Sequence, residues 1–461
     1  MLAQRNRAKG YGVAILDCEA EDLGAYDAAI RIGDVNPRIA CFLAYGQQPS
    51  ASTQNMTGIY HTASFLKSWY PEIKILVIGP HIAALPEEVL DKWYIDFVAQ
   101  NEGVHVIDGL LSLPRLDLHG ALSTVGGLGF KTYGNKILNS VGTIVPKNLL
   151  DQELPGIAWD LLPDLDKYRT SGWHSWSNNT EVSPFAALYT SLGCPYDCSF
   201  CMINVISKPN KRLYRRWSPE FIISQFDILA FFGVKNIKIA DELFVLYPLH
   251  FNRICDLIIE RKYDFNIWCY SRVDTCKPEY LDKMKAAGIN WIGLGIENPT
   301  ESIRERIDKN SFRQTNVVEI INRIRGAGIN VGGNYIFGLP GDTKESMQAT
   351  LDFMLDNPTE MVNLYCAMAY PGSRLYDEAK AAEKRLPKSP EGYSQYSYQC
   401  LPLANDNLTS KEILQFRDKA FQIYHNNKNY LTMIEEKFGP LARQNIENTT
   451  KIPLERFLLG D

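Results

Sequence analysis

The stretch Phe185-Ala-Ala-Leu-Tyr-Thr-Ser-Leu192-Gly-Cys194-Pro-Tyr-Asp-Cys198-Ser-Phe-Cys201 decides how this chain is read. It opens as a short apolar run of the kind a buried strand needs, and it ends by placing three cysteines on one loop. From Phe185 onward the rhythm of strand, loop and helix recurs. Candidate strands are Phe185 to Leu192, Asn236 to Ala240, Asn266 to Tyr270, Trp291 to Ile296, Asn330 to Phe337 and Val362 to Ala369. Helices fit between them: Pro219 to Phe232 after an N-cap at Ser218, Leu249 to Lys262, Glu279 to Ala287 before Gly288, Gln314 to Ala327 before Gly328, and Lys344 to Leu355. Successive βα units predict a barrel or a large part of one, with its active site at the carboxyl ends of the strands. The cysteine loop follows the first of those strands directly.

The chain of 461 residues carries ten cysteines. Arg5, Arg7 and Lys9 are followed by no apolar core, so a signal peptide is not expected. The apolar runs fall short of the roughly 18 residues that cross a bilayer. A cytoplasmic location is expected, in which cysteines are thiols. Cys18, Cys41, Cys255 and Cys269 sit in apolar runs and are expected to pack as small buried hydrophobes, as are Cys276, Cys366 and Cys400. Cys194, Cys198 and Cys201 are different, because their spacing brings three sulfurs onto one loop. A structural zinc ion wants four ligands, and the nearest further Cys or His residues are His174, His250 and Cys255, all far off in sequence. Three thiolates suit a four-iron cluster that leaves one iron open, whereas an electron-transfer cluster is usually closed by four. The spacing points to catalysis; a structural or redox-sensing metal site in a non-catalytic protein is the competing reading.

Upstream, Gly12 to Asp17, Arg38 to Tyr45, Lys74 to Gly79 and Ile95 to Ala99 are continuous apolar runs separated by helix-length connections. Strands of this kind predict a parallel sheet covered on both faces, with ligands bound beyond the carboxyl ends. The loops Tyr45 to Thr57 and Gly79 to Leu85 lie at those ends, and Gly46 and Gly79 would let a large polar cofactor approach the backbone. Residues 113–184, rich in proline and tryptophan and without periodicity, are expected to be a connector without a core of its own. After about Arg385 come Tyr393, Tyr396 and Tyr398 and helices such as Lys411 to Tyr424, suited to cap the barrel. A composition 45% hydrophobic and 22% charged is that of a folded protein of more than one domain. With 48 Lys+Arg against 53 Asp+Glu and a net charge of -5, there is no electrostatic case for a nucleic-acid binder.

The CxxxCxxC form, with Phe200 before its last cysteine and a βα array after it, resembles the radical S-adenosylmethionine (radical SAM) superfamily. Further segments are similar to the branch that carries an N-terminal cobalamin-binding domain. They are Ala240-Asp-Glu-Leu-Phe244, Tyr270-Ser-Arg-Val-Asp274, Gly293-Leu-Gly-Ile-Glu297, Phe337-Gly-Leu-Pro-Gly-Asp-Thr343 and Tyr370-Pro-Gly-Ser373. Val77 to Glu88, Asp96-Phe-Val98 and Asn101-Glu-Gly103 resemble that branch's first domain. The implied fold is α/β: a Rossmann-like cobalamin-binding domain (1–112), a connector (113–184), a partial (β/α)6 TIM-type radical SAM barrel (185–384) and a mostly helical C-terminal cap (385–461). Relatives usually begin with a strand and an Asn-Pro-Pro-like turn, whereas this chain opens at Met1 to Gly10 where the following helix would be ending. A truncated or degenerate first domain with an unpaired sheet edge is therefore expected.

The resemblance implies that Cys194, Cys198 and Cys201 bind three irons of a [4Fe-4S] cluster while SAM chelates the fourth. One-electron reduction of the sulfonium then releases a 5'-deoxyadenosyl radical. Arg272 suits the methionine carboxylate, Glu242 or Glu297 the amino group or ribose hydroxyls, and Phe200 the adenine. Cobalamin would face the loops holding Gly46 and Gly79. No Asp-x-His-x-x-Gly is present, so His81 is not expected to ligate cobalt. The implied activity is C-methylation of a small-molecule substrate, fed by an electron donor such as flavodoxin or ferredoxin. A radical cyclisation, oxidation or rearrangement without methyl transfer is the alternative within the family.

Overall fold

A computed structural model describes residues 1–46, 48–176, 181–210, 212–309 and 317–460. The chain divides into two compact units, one of residues 1–164, 192–217 and 370–378, the other of 165–191, 218–369 and 379–461.

In the first unit a five-stranded sheet runs in the order Ile39–Leu43, Lys74–Ile78, Phe97–Ala99, Leu128–Thr132, Asn135–Leu138. The first three strands are parallel and the last two antiparallel. Side-chain alternation in Lys74–Ile78 explains why both faces must be covered. Ile75 and Val77 enter a core with Met56, Ala63 and Leu66, while Leu76 and Ile78 enter a second one with Val106, Leu110 and Phe130.

Several expectations change here. The apolar run Gly12 to Asp17 is not a strand. Hydrophobicity alone does not make one, since backbone groups must find a ladder partner, and no described strand pairs with it. Ile39–Leu43 is consequently the edge of the sheet, and Cys41, expected to be buried, is exposed on it beside Leu43. Cys18 is only half-buried. The stretch 113–184, expected to lack a core, supplies two strands joined through Tyr133 and Gly134, both at positive φ. That is the geometry of a two-residue hairpin, but Tyr-Gly lacks the Asn-Gly signal that announces one. The expected loops are shorter too: helix Ala51–Trp69 starts inside Tyr45 to Thr57, and Gly79 to Leu85 contains helix Pro80–Ala84, with Pro80 in the favoured first position. Gln47 of that first loop lies outside the described residues.

In the second unit six strands lie in chain order, all parallel: Phe185–Leu188, Asn236–Ile239, Asn266–Arg272, Ile289–Glu297, Asn330–Phe337 and Met361–Cys366. Open at both edges, this is the topology of a partial β/α barrel. Helices alternate with the strands: Pro219–Phe231, Pro248–Arg261, Leu281–Ala286, Val317–Gly326 and Lys344–Asp356. Ser218 caps the first by accepting from the Phe221 amide, and Thr343 with Ser346 forms a capping box on the last. The expected helix start at Gln314 lies outside the described residues. The C-terminal helices Ser410–His425, Lys428–Phe438 and Pro440–Thr450 belong to this unit. Buried Glu360 anchors them, pairing with Arg325 at 2.9 Å and Lys437 at 2.7 Å and accepting the Val331 amide. Among the described residues no helix is long and apolar enough to cross a membrane.

Candidate functional site

The cysteine loop belongs to the first unit. It opens at Gly193, whose φ of +83° and approach to the Leu213 carbonyl, 2.1 Å from where a Cβ would stand, admit only glycine. Cys198 to Cys201 form a tight turn closed by the Cys201 amide on the Cys198 carbonyl at 3.0 Å. Asn204 braces the loop from within, donating to the Tyr196 carbonyl and to Asp197. Arg212 pairs with Asp197 at 2.9 Å, and their hydrogen bond holds that carboxyl below its usual range. Cys194, Cys198 and Cys201 are half-buried, as thiols that meet a ligand must be. Cys255, Cys269, Cys276, Cys366 and Cys400 are buried as expected. Burial pushes Cys255 and Cys276 up to about 12 and Cys400 to about 11, which leaves them inert.

Among the described residues no three Cys, His, Asp or Glu side chains are gathered as a metal ion would require. The three thiols share a loop without converging on a point. A single zinc ion needs convergence; a polynuclear cluster does not, because each thiolate binds a different iron. Ser199, between two of the cysteines, is 3% exposed, and its hydroxyl has no hydrogen-bond partner among the described residues. The loop residues fit a cluster.

The rest of the unit holds this loop in place. Arg215, past its far end, makes a buried ion pair with Glu102 at 2.6 Å and donates to the Val145 carbonyl, while Glu102 accepts the Val145 amide. Lys208 donates to the Ala83 carbonyl, Trp217 to the Leu154 carbonyl, and the Leu375 amide to the Ser199 carbonyl. The elements at the carboxyl ends of the sheet therefore seat the cysteine loop: Pro80–Ala84 follows strand Lys74–Ile78, and Glu102 follows strand Phe97–Ala99.

Gly46 and Gly79 lie at those same ends, yet protein fills the space beside each. A Cβ on Gly79, at φ +152°, would stand 2.4 Å from the Ala44 carbonyl oxygen, and one on Gly46 would stand 2.4 Å from the Ala51 Cβ. His81 is buried, its ring within 3.2 Å of the Thr53 hydroxyl and its amide donating to Ser52, and burial lowers it to about 4. It is a neutral group packed inside the first unit.

In the second unit, Glu242, Arg272 and Glu297 follow or end successive strands. Arg272, 4% exposed, pairs through Nε with Asp274 at 2.8 Å. Glu297 pairs with Lys309 at 2.6 Å and has a φ of +62° at a break in strand register. A non-glycine residue held there is strained by about 1–3 kcal/mol, a cost found mostly at functional sites. Asp241, beside Glu242, is fully buried and accepts from the Thr190 amide and the Thr190 and Ser191 hydroxyls at 2.5–2.6 Å. Burial raises it to about 6. It fixes the last residues before the cysteine loop begins.

Residues 188–354 match the family model described as Radical SAM superfamily. Over that stretch the chain is similar to the radical SAM superfamily. It is 27% identical over 448 residues, 96% of this chain and 90% of the relative, to an uncharacterized methyltransferase of Pyrococcus horikoshii. Two solved structures share the radical SAM fold with it. One is the radical SAM methyltransferase TsrM from Kitasatospora setae with cobalamin and a [4Fe-4S] cluster bound (13% identity, TM-score 0.65, covering 98% of this chain and 95% of that one). The other is the cobalamin-dependent SAM radical enzyme OxsB with aqua-cobalamin bound (16% identity, TM-score 0.64, 98% and 67%). The chain shares its fold with both of these structures.

Sequence reading missed Ser199, Asp241, the Lys309 and Asp274 partners, and the Glu102–Arg215 pair. Glu102 and Asp241 lay inside quoted motifs. Arg215 stood in no motif, and its pairing across more than a hundred residues had no local signal.

Proposed function

We propose that this chain is a cobalamin-dependent radical SAM enzyme that methylates a carbon of a small-molecule substrate. One observation carries the reading: three half-buried thiols on one braced loop follow the first strand of an all-parallel sheet in chain order, and the loop is seated on the carboxyl end of a Rossmann-like sheet. The relatives' methyltransferase names and the cobalamin and cluster of TsrM support it. Cys194, Cys198 and Cys201 would hold three irons of a [4Fe-4S] cluster. Arg272 would bind the carboxylate of SAM by exchanging its Asp274 partner, Glu297 and Glu242 its amino group and ribose hydroxyls, and Phe200 would flank the adenine. Cobalamin would lie against the loops that hold Gly46 and Gly79, at the carboxyl ends of the first unit's strands. Cluster, SAM and cobalamin supply one-electron cleavage of the sulfonium and a methyl carrier, with an external electron donor such as flavodoxin or ferredoxin. The protein's part is to orient the sulfonium and keep water from the site.

Anaerobic reconstitution with SAM, cobalamin and a reductant tests this by mass spectrometry. Formation of 5'-deoxyadenosine and S-adenosylhomocysteine is expected; absence of both refutes the proposal. Cys198→Ala is expected to remove the cluster's visible absorbance and all SAM cleavage while cobalamin still binds. A product formed with 5'-deoxyadenosine but without a methyl group from SAM would favour cyclisation, oxidation or rearrangement.

A further inference from the structure

The Cys198–Cys201 turn carries a feature that ligand binding by cysteine does not explain. Ser199 is 3% exposed, and its Oγ is the one buried serine or threonine hydroxyl among the described residues that has no hydrogen-bond partner. Other buried hydroxyls are used: Thr190 and Ser191 donate to Asp241, and Ser373 donates to the Tyr370 carbonyl. A buried hydroxyl left unpaired costs about 1–3 kcal/mol, and such groups are rare in folded proteins. The backbone on both sides of Ser199 is fixed. The Cys201 amide closes the turn on Cys198, and the Leu375 amide holds the Ser199 carbonyl at 2.8 Å. The side chain therefore has only its χ1 rotation with which to find an acceptor, and it sits between two of the three cluster cysteines.

We propose that the Ser199 hydroxyl donates a hydrogen bond to a sulfur of the cluster held by Cys194, Cys198 and Cys201, and thereby raises the cluster's reduction potential. This rests on the cluster reading above. Thiolate and inorganic sulfide are acceptors of the kind the loop otherwise lacks. Their charge grows when the cluster gains an electron, so a donor stabilises the reduced form more than the oxidised one; hydrogen bonds to sulfur are an established control of such potentials. Ser199 is a positioning and tuning residue and takes no part in the reaction itself.

The test is a potentiometric titration of the reconstituted full chain, followed by electron paramagnetic resonance without substrate. Wild type, Ser199→Ala and Ser199→Thr are compared at equal iron and sulfide loading. Ser199→Ala is expected to make the one-electron reduction at least tenfold less favourable, a shift of about 59 mV to more negative potential. Ser199→Thr, which keeps a hydroxyl, should stay at the wild-type value. Full loading of Ser199→Ala with an unchanged potential overturns the proposal. Should Ser199→Ala not load, Ser199→Gly is titrated in its place, with the same shift expected and the same unchanged value overturning the idea. Failure of the wild type to take up any cluster refutes the cluster reading itself, an outcome distinct from a loaded but unshifted variant.

Discussion

At the scale of single residues, buried neutral imidazoles make this protein sensitive to acid. Burial lowers His81 to about 4, His174 to about 3 and His425 to about 4, so each is uncharged in the folded chain well below pH 6.5. In the unfolded chain each takes up a proton near its ordinary value of about 6.5. Between roughly pH 6.5 and 4 the unfolded state therefore binds more protons, and stability rises with pH across that window. His81 supplies stability that is complete above about pH 6.5 and is lost as the pH falls towards 4. At 1.36 kcal/mol per pKa unit its share is on the order of 3 kcal/mol. His81→Gln should accordingly flatten the pH dependence of urea unfolding between pH 7 and 5. A variant as acid-labile as the wild type would show that His81 is not buried as a neutral group.

At the scale of elements, the seat of the cysteine loop depends on one buried charge pair. Arg215 and Glu102 are 3% and 8% exposed, and each also bonds the backbone of Val145. Removing one partner strands the other charge in a dry site, so Glu102→Ala should cost about 3–5 kcal/mol. Replacing both, Glu102→Leu with Arg215→Met, should recover most of that loss, because well-packed apolar residues often match a buried ion pair. Denaturant midpoints of the single and double variants decide it, and a single variant within about 0.5 kcal/mol of wild type would mean that the pair is solvated. This pair also marks where sequence reading stops. The barrel was legible because each strand is a local apolar run and helix boundaries carry local signals, as at the N-cap Ser218. The three cysteines were legible because their chemistry depends on local spacing. Glu102 and Arg215 meet only through the fold, and the strand Gly12 to Asp17 failed because apolar character cannot report whether a ladder partner exists. The ion partners of Arg272 and Glu297 were hidden for the same reason.

At the scale of the whole molecule, the first unit is assembled from three separate stretches of chain, and that has a consequence for cutting it. Its sheet lies within residues 1–164, but Lys208, Arg215 and Trp217 from 192–217 occupy the Ala83, Glu102 and Leu154 positions, and 370–378 closes on Ser199 and packs Gly372 against Ala84 and Val205. A fragment of residues 1–164 would keep its two hydrophobic cores yet lose the Arg215, Lys208 and Trp217 contacts that cover the carboxyl end of its sheet. The fragment loses that covering surface and its buried bonds, set against the roughly 5–15 kcal/mol that stabilises an ordinary domain. The isolated fragment should unfold at much lower denaturant than the sheet does within the intact chain. In the intact chain, amides of strand Lys74–Ile78 and of Arg215 should exchange with similar protection, since they belong to one cooperative unit. A fragment as stable as the parent sheet, or cysteine-loop amides that open without the sheet, would mean that the cluster loop rests on the sheet without depending on it.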